Sequence, residues 1–353
     1  MKKKTMRIEI VSSTMSGLSS MGNHSRNSIF SVLSRHYTDV TITLINDLND
    51  LDNLVARKPD LVFLGMKFIP CNPLLGFHDR DKIWIADYLE MHGIASTGSS
   101  HKAHKLELNK HLAKQQAEDA GLNTAKFFVA KRGCLISETE FDLAYPVFVK
   151  PSNRGGGLGV DSDSVVNNFQ ELLIKVASIS CQYEADALIE EFLPGKEYSI
   201  AILKNQDDDY SVMPIELIAE KDTNGSRMLS KVVKTSNRET VLAVSNAVIW
   251  ATVTTLALDV FKSLGARDYG RIDVRMDSAG VPHFLEANLI PSLIDGYGSF
   301  PKACQLNQKL GYESMILRIT SLGLLRNINE PSQADEPRNP VLVPELFDIQ
   351  PAF

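Results

Sequence analysis

Two stretches concentrate residue types able to do chemistry. The first, "YPVFVKPSNRGGGLGV" (145–160), ends an apolar run in Lys150 and continues into Gly155, Gly156, Gly157 and Gly159. Glycines after a strand let backbone N–H groups cradle a phosphate. The second, "GRIDVRMDSAGVPHFLEAN" (270–288), reads as two alternating strands around the turn-forming Asp277-Ser278-Ala279-Gly280. With the loop centred on Ala279-Gly280, Asp273 stands opposite Glu286 and Arg271 opposite Asn288. Period-two alternation then puts Arg271, Asp273 and Arg275 on one face, with Phe284, Glu286 and Asn288 across from them. Two facing carboxylates repel each other, so a positive charge belongs between them. Either Arg271 and Arg275 complete a structural ion-pair network, or Asp273, Glu286 and the Asn288 amide form a hard-oxygen set for Mg²⁺ that also meets a nucleotide's phosphates.

The order of residues narrows the kind of phosphate loop. A Walker A loop places its lysine after the glycines, whereas Lys150 precedes them. A protein-kinase loop needs a downstream strand lysine and an HRD-type segment, and neither is present. Between the two stretches lies the acidic "IEEFLPGKE" (189–197). His101, His104, Glu107 and His111 share a helical stripe in "HKAHKLELNKH", but several lysines beside them make it read as a solvated face rather than a metal site. Without other support Lys110 would be a surface helix lysine as well.

Residues 7–98 alternate strand and helix signals: "RIEIV", "SRNSIFSVLSRHY", "DVTITLI", "LDNLVARK", "PDLVFLGM" and the helical "DKIWIADYLEMHGI". That alternation predicts a parallel sheet with helices on both faces, without the GxGxxG of a dinucleotide site. "LELNKHLAKQQAEDAGL" reads as one helix ended by Gly121. Paired strands follow in "TAKFFVA", "PVFVK", "ALIEEFL" and "EYSIAIL", then one long helix, "TVLAVSNAVIWATVTTLALDVFKSLG". "YESMILRITSLGLL" closes the pattern, and residues 327–353 read as a polar, proline-containing tail.

Composition sets outer limits. The 353 residues, 44% hydrophobic and 23% charged, suit a globular protein of two or three domains. A net charge of −6 argues against nucleic acid as a partner. The four scattered cysteines form no CxxC, which excludes a zinc site or disulfide framework by spacing and fits the cytoplasm. No apolar run approaches the roughly 20 residues of a membrane span.

Taken in order, "STGSS", "NKHLAKQQAEDAGLNTAKFFV", "PVFVKPSNRGGGLGV", "ALIEEFLPGKEYSIAIL" and "GRIDVRMDSAGVPHFLEANLIPS" resemble the ATP-grasp superfamily, in its D-alanine–D-alanine ligase-like branch, from about Ser96 to Leu325. The resemblance implies an α/β chain: a doubly wound parallel-sheet domain (1–98), two α+β ATP-grasp lobes (99–190 and 191–326) enclosing the nucleotide, and the tail. It implies ATP and Mg²⁺ as cofactors, two ions with Mn²⁺ as a substitute, small amino-acid-like substrates, and a homodimer. Lys110 and Lys150 would reach the phosphates under the lid of Gly155, Gly156 and Gly157. Glu190, Phe192 and Leu193 would read the adenine, and Glu197 would hold the ribose. Asp273, Glu286 and Asn288 would bind metal, and Arg271 would stabilise the acyl phosphate. A further lysine, Lys231 with Lys221 and Lys234 as rivals, would contact the γ-phosphate. The chain departs from the family at three places, all touching the amino-acid sites: Asn23 for a glutamate, Gly156 and Gly157 for two serines, and Ser292 for a glycine.

Overall fold

The computed structural model describes residues 3–205, 209–220 and 239–329. In β1 (Lys4–Ser12) the alternation sends Ile8 and Ile10 to one face and Val11 to the other. Helix α1 (Asn23–His36) lays Ile29, Val32 and Leu33 on the Ile8/Ile10 face and leads into β2 (Tyr37–Leu44). Helix α2 (Leu48–Ala56) is capped by Asp47, whose carboxylate accepts from the Asp50 N–H at 3.0 Å. It buries Leu51 and Leu54 on the opposite face, beside β3 (Leu61–Leu64). The parallel order β2-β1-β3, with helices on both faces, is the doubly wound pattern the alternation predicts.

A two-stranded ribbon follows, β4 (Phe68–Pro70) and β5 (Lys82–Trp84), joined through the 3₁₀ turn Gly76–His78. The helix expected over "DKIWIADYLEMHGI" therefore begins late, as α3 (Ile85–Met91). The single helix expected around residue 110 is two, α4 (His101–Leu108) and α5 (Lys110–Asp119), broken at Asn109 (φ −110°, ψ 90°). The break turns the Lys110 N–H out of the helix to donate to Ser152 O at 3.0 Å, a tertiary bond that outweighs local propensity.

The middle sheet consists of β6 (Phe127–Ala130), β7 (Val147–Pro151), β8 (Val165–Val166) and β9 (Ala187–Glu191), all antiparallel in the order β6-β9-β7-β8. Helix α6 (Phe169–Tyr183), which a reading of this region as paired strands passes over, covers it through Leu172 and Ile179. The third sheet is antiparallel in the order β12-β11-β10-β13-β14, from β10 (Glu197–Lys204), β11 (Tyr210–Ile218), β12 (Thr240–Ala243), β13 (Tyr269–Met276) and β14 (Pro282–Asn288). The long helix expected from Thr240 starts later, as α7 (Ala247–Ser263). Thr240–Ala243 instead pairs with β11, and the Asn246 side chain caps the helix by accepting from the Val248 and Ile249 N–H groups at 3.0 Å.

One face of this sheet packs Tyr198, Ile200, Ile272 and Val274 against α7. The other carries Ala201, Leu203 and Ile215 into a core shared with α8 (Ser299–Gln308), α9 (Tyr312–Asn329) and the Ile8/Ile10 face of the parallel sheet. The first and third sheets are thereby fixed to one another through continuous apolar packing. The tail expected from residue 327 lies, from residue 330 on, outside the described residues.

Candidate active site

Strands β13 and β14 pair Arg271 with Asn288 and Asp273 with Glu286, the register read from the sequence. Toward the turn the pairing slips by one, to Val274 with Phe284 and Arg275 with His283, so the loop centres on Ala279. A bulge at Leu285 absorbs the slip. The bulge corrects one expectation: Phe284 lies on the core face, fully buried, not on the face of Glu286. Both Leu285 and Glu286 line the cleft instead.

The two carboxylates are each matched by a cation. Arg271 donates from Nε and Nη2 to the two oxygens of Asp273 at 2.9 and 2.8 Å, and the Ser199 hydroxyl adds a bond at 2.7 Å. Lys110 Nζ lies 3.4 Å from Glu286. Burial alone would lower the Arg271 pKa, but Asp273 and Glu286 more than offset it and hold the guanidinium above its usual value. For Lys110 burial wins, and the neighbouring Lys150 charge helps to keep it below the ordinary lysine value. The facing carboxylates are thus balanced by an ion-pair network, the first of the two alternatives. Asp273, Glu286 and the Asn288 position form a donor set of the kind Mg²⁺ takes when it retains several waters. No three His, Cys, Asp or Glu side chains gather as a metal cluster among the described residues.

Lys150, next to last in β7, holds its Nζ 2.6 Å from Glu190 Oε2, and Lys114 meets Oε1 of the same carboxylate at 2.6 Å. Burial would raise the Glu190 carboxyl, yet the two lysines hold it below the usual range. Burial would likewise lower Lys150, but Glu190 and Glu286 keep it above. Lys114, fully buried, is absent from the residues marked by the sequence, although its spacing one helical turn past Lys110 carries the signal. Ser299, whose Oγ accepts from Arg271 Nη1 at 3.2 Å, is also new, and no sequence pattern marks it.

A cleft opens between the middle and third sheets, with both charged and apolar side chains on its wall. Lys110, Lys150, Asp273 and Glu286 charge one part of its wall, and Phe148, Val160, Phe192, Leu193 and Leu285 line it with apolar groups. Glu197 borders it too, 3.2 Å from Arg275. Gly157 is the lid residue on the lining, and Gly156 and Gly157 hold φ of 66° and 76°. Gly155 starts a tight turn, its carbonyl accepting from Leu158 N at 3.2 Å.

Of the expected residues that the structure describes, Arg271, Asn288, Gly155, Gly156, Asn23 and Ser292 are not part of this lining. Asn23 opens α1, is exposed, and accepts from the Arg26 guanidinium. Ser292 sits half-buried in the loop after β14. Lys231, with Lys221 and Lys234, lies outside the described residues. The histidine stripe disperses into separate pairs: His101 with Asp87, His104 with Glu107, and His111 with the Ser152 hydroxyl.

A parallel-sheet unit followed by two antiparallel sheets, with lysines and carboxylates gathered in the cleft between them, defines the ATP-grasp class. A family model described as "D-ala D-ala ligase C-terminus" matches residues 117–321. A D-alanine–D-alanine ligase of Actinobacillus pleuropneumoniae is 30% identical over 237 residues, 66% of this chain and 74% of that protein. The chain belongs to the D-alanine–D-alanine ligase family of ATP-grasp enzymes. An uncharacterized protein of Sinorhizobium fredii, y4sG, is 32% identical over 209 residues, 58% of this chain and 60% of that one. In fold, the chain is similar to the D-alanine–D-alanine ligase of Bacillus anthracis complexed with ATP, at a TM-score of 0.72 and 20% identity over 92% of this chain and 99% of that one. No helix among the described residues is long and apolar enough to cross a membrane.

Proposed function

We propose that this protein, an ATP-dependent, ADP-forming C–N ligase by family, activates an amino-acid-like carboxylate as its acyl phosphate and passes it to an amine. The observation that carries the reading is the convergence of Lys110, Lys150, Asp273 and Glu286 on one cleft. Lys150, kept charged by Glu190, suits the nucleotide phosphates, and Lys110 stands beside Glu286 where those phosphates would approach. Asp273, Glu286 and Asn288 would hold Mg²⁺, which when bound supplies charge neutralisation at the phosphates. Arg271, fixed bidentately by Asp273, suits the charge that develops on the acyl phosphate and the tetrahedral intermediate. Both oxygens of Glu190 are engaged by lysines, so recognition of the adenine edge falls to the backbone around Phe192 and Leu193, with Glu197 toward the ribose. The glycine lid excludes water, which would otherwise hydrolyse the intermediate.

Within this class we assign substrates other than two D-alanines. Asn23, Gly156, Gly157 and Ser292 are the departures from the family pattern, and each belongs to the part of the resemblance that handles amino acids. The deciding experiment is phosphate release from ATP over a matrix of L- and D-amino-acid pairs. The expected products are ADP and phosphate with a mixed pair. AMP and pyrophosphate would overturn the acyl-phosphate chemistry. Full turnover on D-alanine alone would give the protein the activity named for its relatives, and tight ATP binding without turnover on any pair would mark a non-catalytic nucleotide binder.

A further inference from the structure

Glu107 takes no part in the chemistry above, yet only 3% of its side chain is exposed. Its Oε1 accepts from Lys67 Nζ at 2.7 Å and from the backbone N–H of Leu289 at 2.9 Å. Its Oε2 lies 3.2 Å from His104 Nδ1. These partners come from separate elements: Lys67 from the connection between β3 and β4, His104 from α4, and Leu289 from the end of β14. Leu289 directly follows Asn288, the residue whose pair with Arg271 is the last of the hairpin ladder. A buried N–H just beyond a ladder costs about 1–3 kcal/mol if nothing accepts from it. Glu107 is that acceptor.

The same helix pair grips β14 on the other side of Asn288, because Lys110 at the start of α5 meets Glu286. Stability alone does not account for a charged group here, since a buried ion pair replaced by apolar residues of like volume is commonly neutral or stabilising. Its contacts instead converge on the strand end that carries an expected metal ligand. We propose that Glu107, charge-balanced by Lys67, is a positioning residue for the metal-binding end of the hairpin: by holding the Leu289 N–H it fixes the Asn288 amide relative to Asp273 and Glu286. This inference rests on the reading of that hairpin as the Mg²⁺ site.

The test is equilibrium binding of Mn²⁺, followed by electron paramagnetic resonance, to the full chain with a non-hydrolysable ATP analogue. The double variant Glu107→Ala/Lys67→Met removes both charges and is expected to fold even where Glu107→Ala alone, with the half-buried Lys67 left without its carboxylate, does not. It is expected to bind Mn²⁺ about 10-fold more weakly, with metal-free binding of the analogue unchanged. Glu107→Gln keeps an acceptor oxygen for the Leu289 N–H and is expected to retain most of the metal affinity. Wild-type Mn²⁺ affinity in the double variant overturns the positioning role. So does a parallel loss of metal-free analogue binding, which would mark general damage. Failure of the wild-type protein itself to bind Mn²⁺ overturns the hairpin reading together with this inference, a result distinct from either of those.

Discussion

Glu190 divides its two oxygens between Lys114 and Lys150, each at 2.6 Å, and so joins α5 to the strand that ends at the lid. Lys114 also donates to the Thr124 hydroxyl at 2.7 Å and to the Phe284 carbonyl at 3.1 Å. Removing one member of a buried charged set leaves the others uncompensated, at a cost of about 3–5 kcal/mol. Lys114→Met is therefore expected to lower the unfolding free energy measured in urea by that order; a loss under about 1 kcal/mol would show that the pair is solvated in solution. Glu190 and Glu107 both sit below the usual carboxyl value of 4.5, held there against burial by Lys114 and Lys150 in the first case and by Lys67 and His104 in the second. Between the folded and unfolded values the unfolded chain binds the proton more readily, so their stabilisation is complete above pH 4.5 and is lost as pH falls through the folded pKa. Urea midpoints measured from pH 7 downward should fall below that point; a rise there would contradict the pairing. For catalysis, Glu286→Gln should fold normally and lose Mg²⁺-dependent turnover by at least about 100-fold, or about 2.7 kcal/mol. Asp273 and Glu286 were legible because strand alternation and a turn fix which residues face each other. Ser299 was not, since its contact with Arg271 bridges 28 residues and no local period reports it.

The elements that sequence reading misplaces are those where a tertiary bond decides. Asn109 breaks a run of good helix formers because the Lys110 N–H finds Ser152 O. The pairing toward the turn is off by one residue, yet Asp273 still faces Glu286 because the bulge at Leu285 restores the register. Strand existence, by contrast, follows from alternation alone and is recovered throughout the first sheet and for β10, β13 and β14 of the third; β11 is passed over, and at β12 a β-branched start to a helical-looking run hides a strand. The lid offers a test at this scale. A Cβ on Gly156 meets nothing within 4 Å, so Gly156→Ala pays only for a non-glycine residue at φ 66°, about 1–2 kcal/mol. A Cβ on Gly159 would sit 2.5 Å from Pro151 Cγ, against a ring that cannot swing away. Gly159→Ala is thus expected to weaken binding of an ATP analogue more than Gly156→Ala does, as read by calorimetric titration. The reverse order would place the lid elsewhere than on β7.

Across the whole molecule, the lid is held from the parallel-sheet side as well as from its own sheet. The Arg154 guanidinium lies 4.4 Å from the centre of the Phe77 ring, donates to the Tyr183 carbonyl at 2.5 Å and reaches His78 Nδ1 at 3.1 Å. Phe77 and His78 belong to the 3₁₀ turn between β4 and β5, so a single side chain spans from the first unit to α6 across the mouth of the cleft. The Lys110 ammonium donates to the Arg154 carbonyl, tying the same residue to the charged wall. None of this was visible in the sequence, because the partners of Arg154 are brought to it by the packing of separate units. A cation–π contact of this kind contributes about 0.5–2 kcal/mol, too little to govern folding but enough to shift a lid between open and closed. Phe77→Ala should therefore leave the thermal midpoint near that of the wild type and raise the KM for ATP several-fold. It should also release more than one phosphate per amide bond formed, since water then reaches the acyl phosphate. Phosphate and amide measured in the same reaction decide the matter: a ratio that stays at one with an unchanged KM would show that the lid closes without its hold on the parallel-sheet unit.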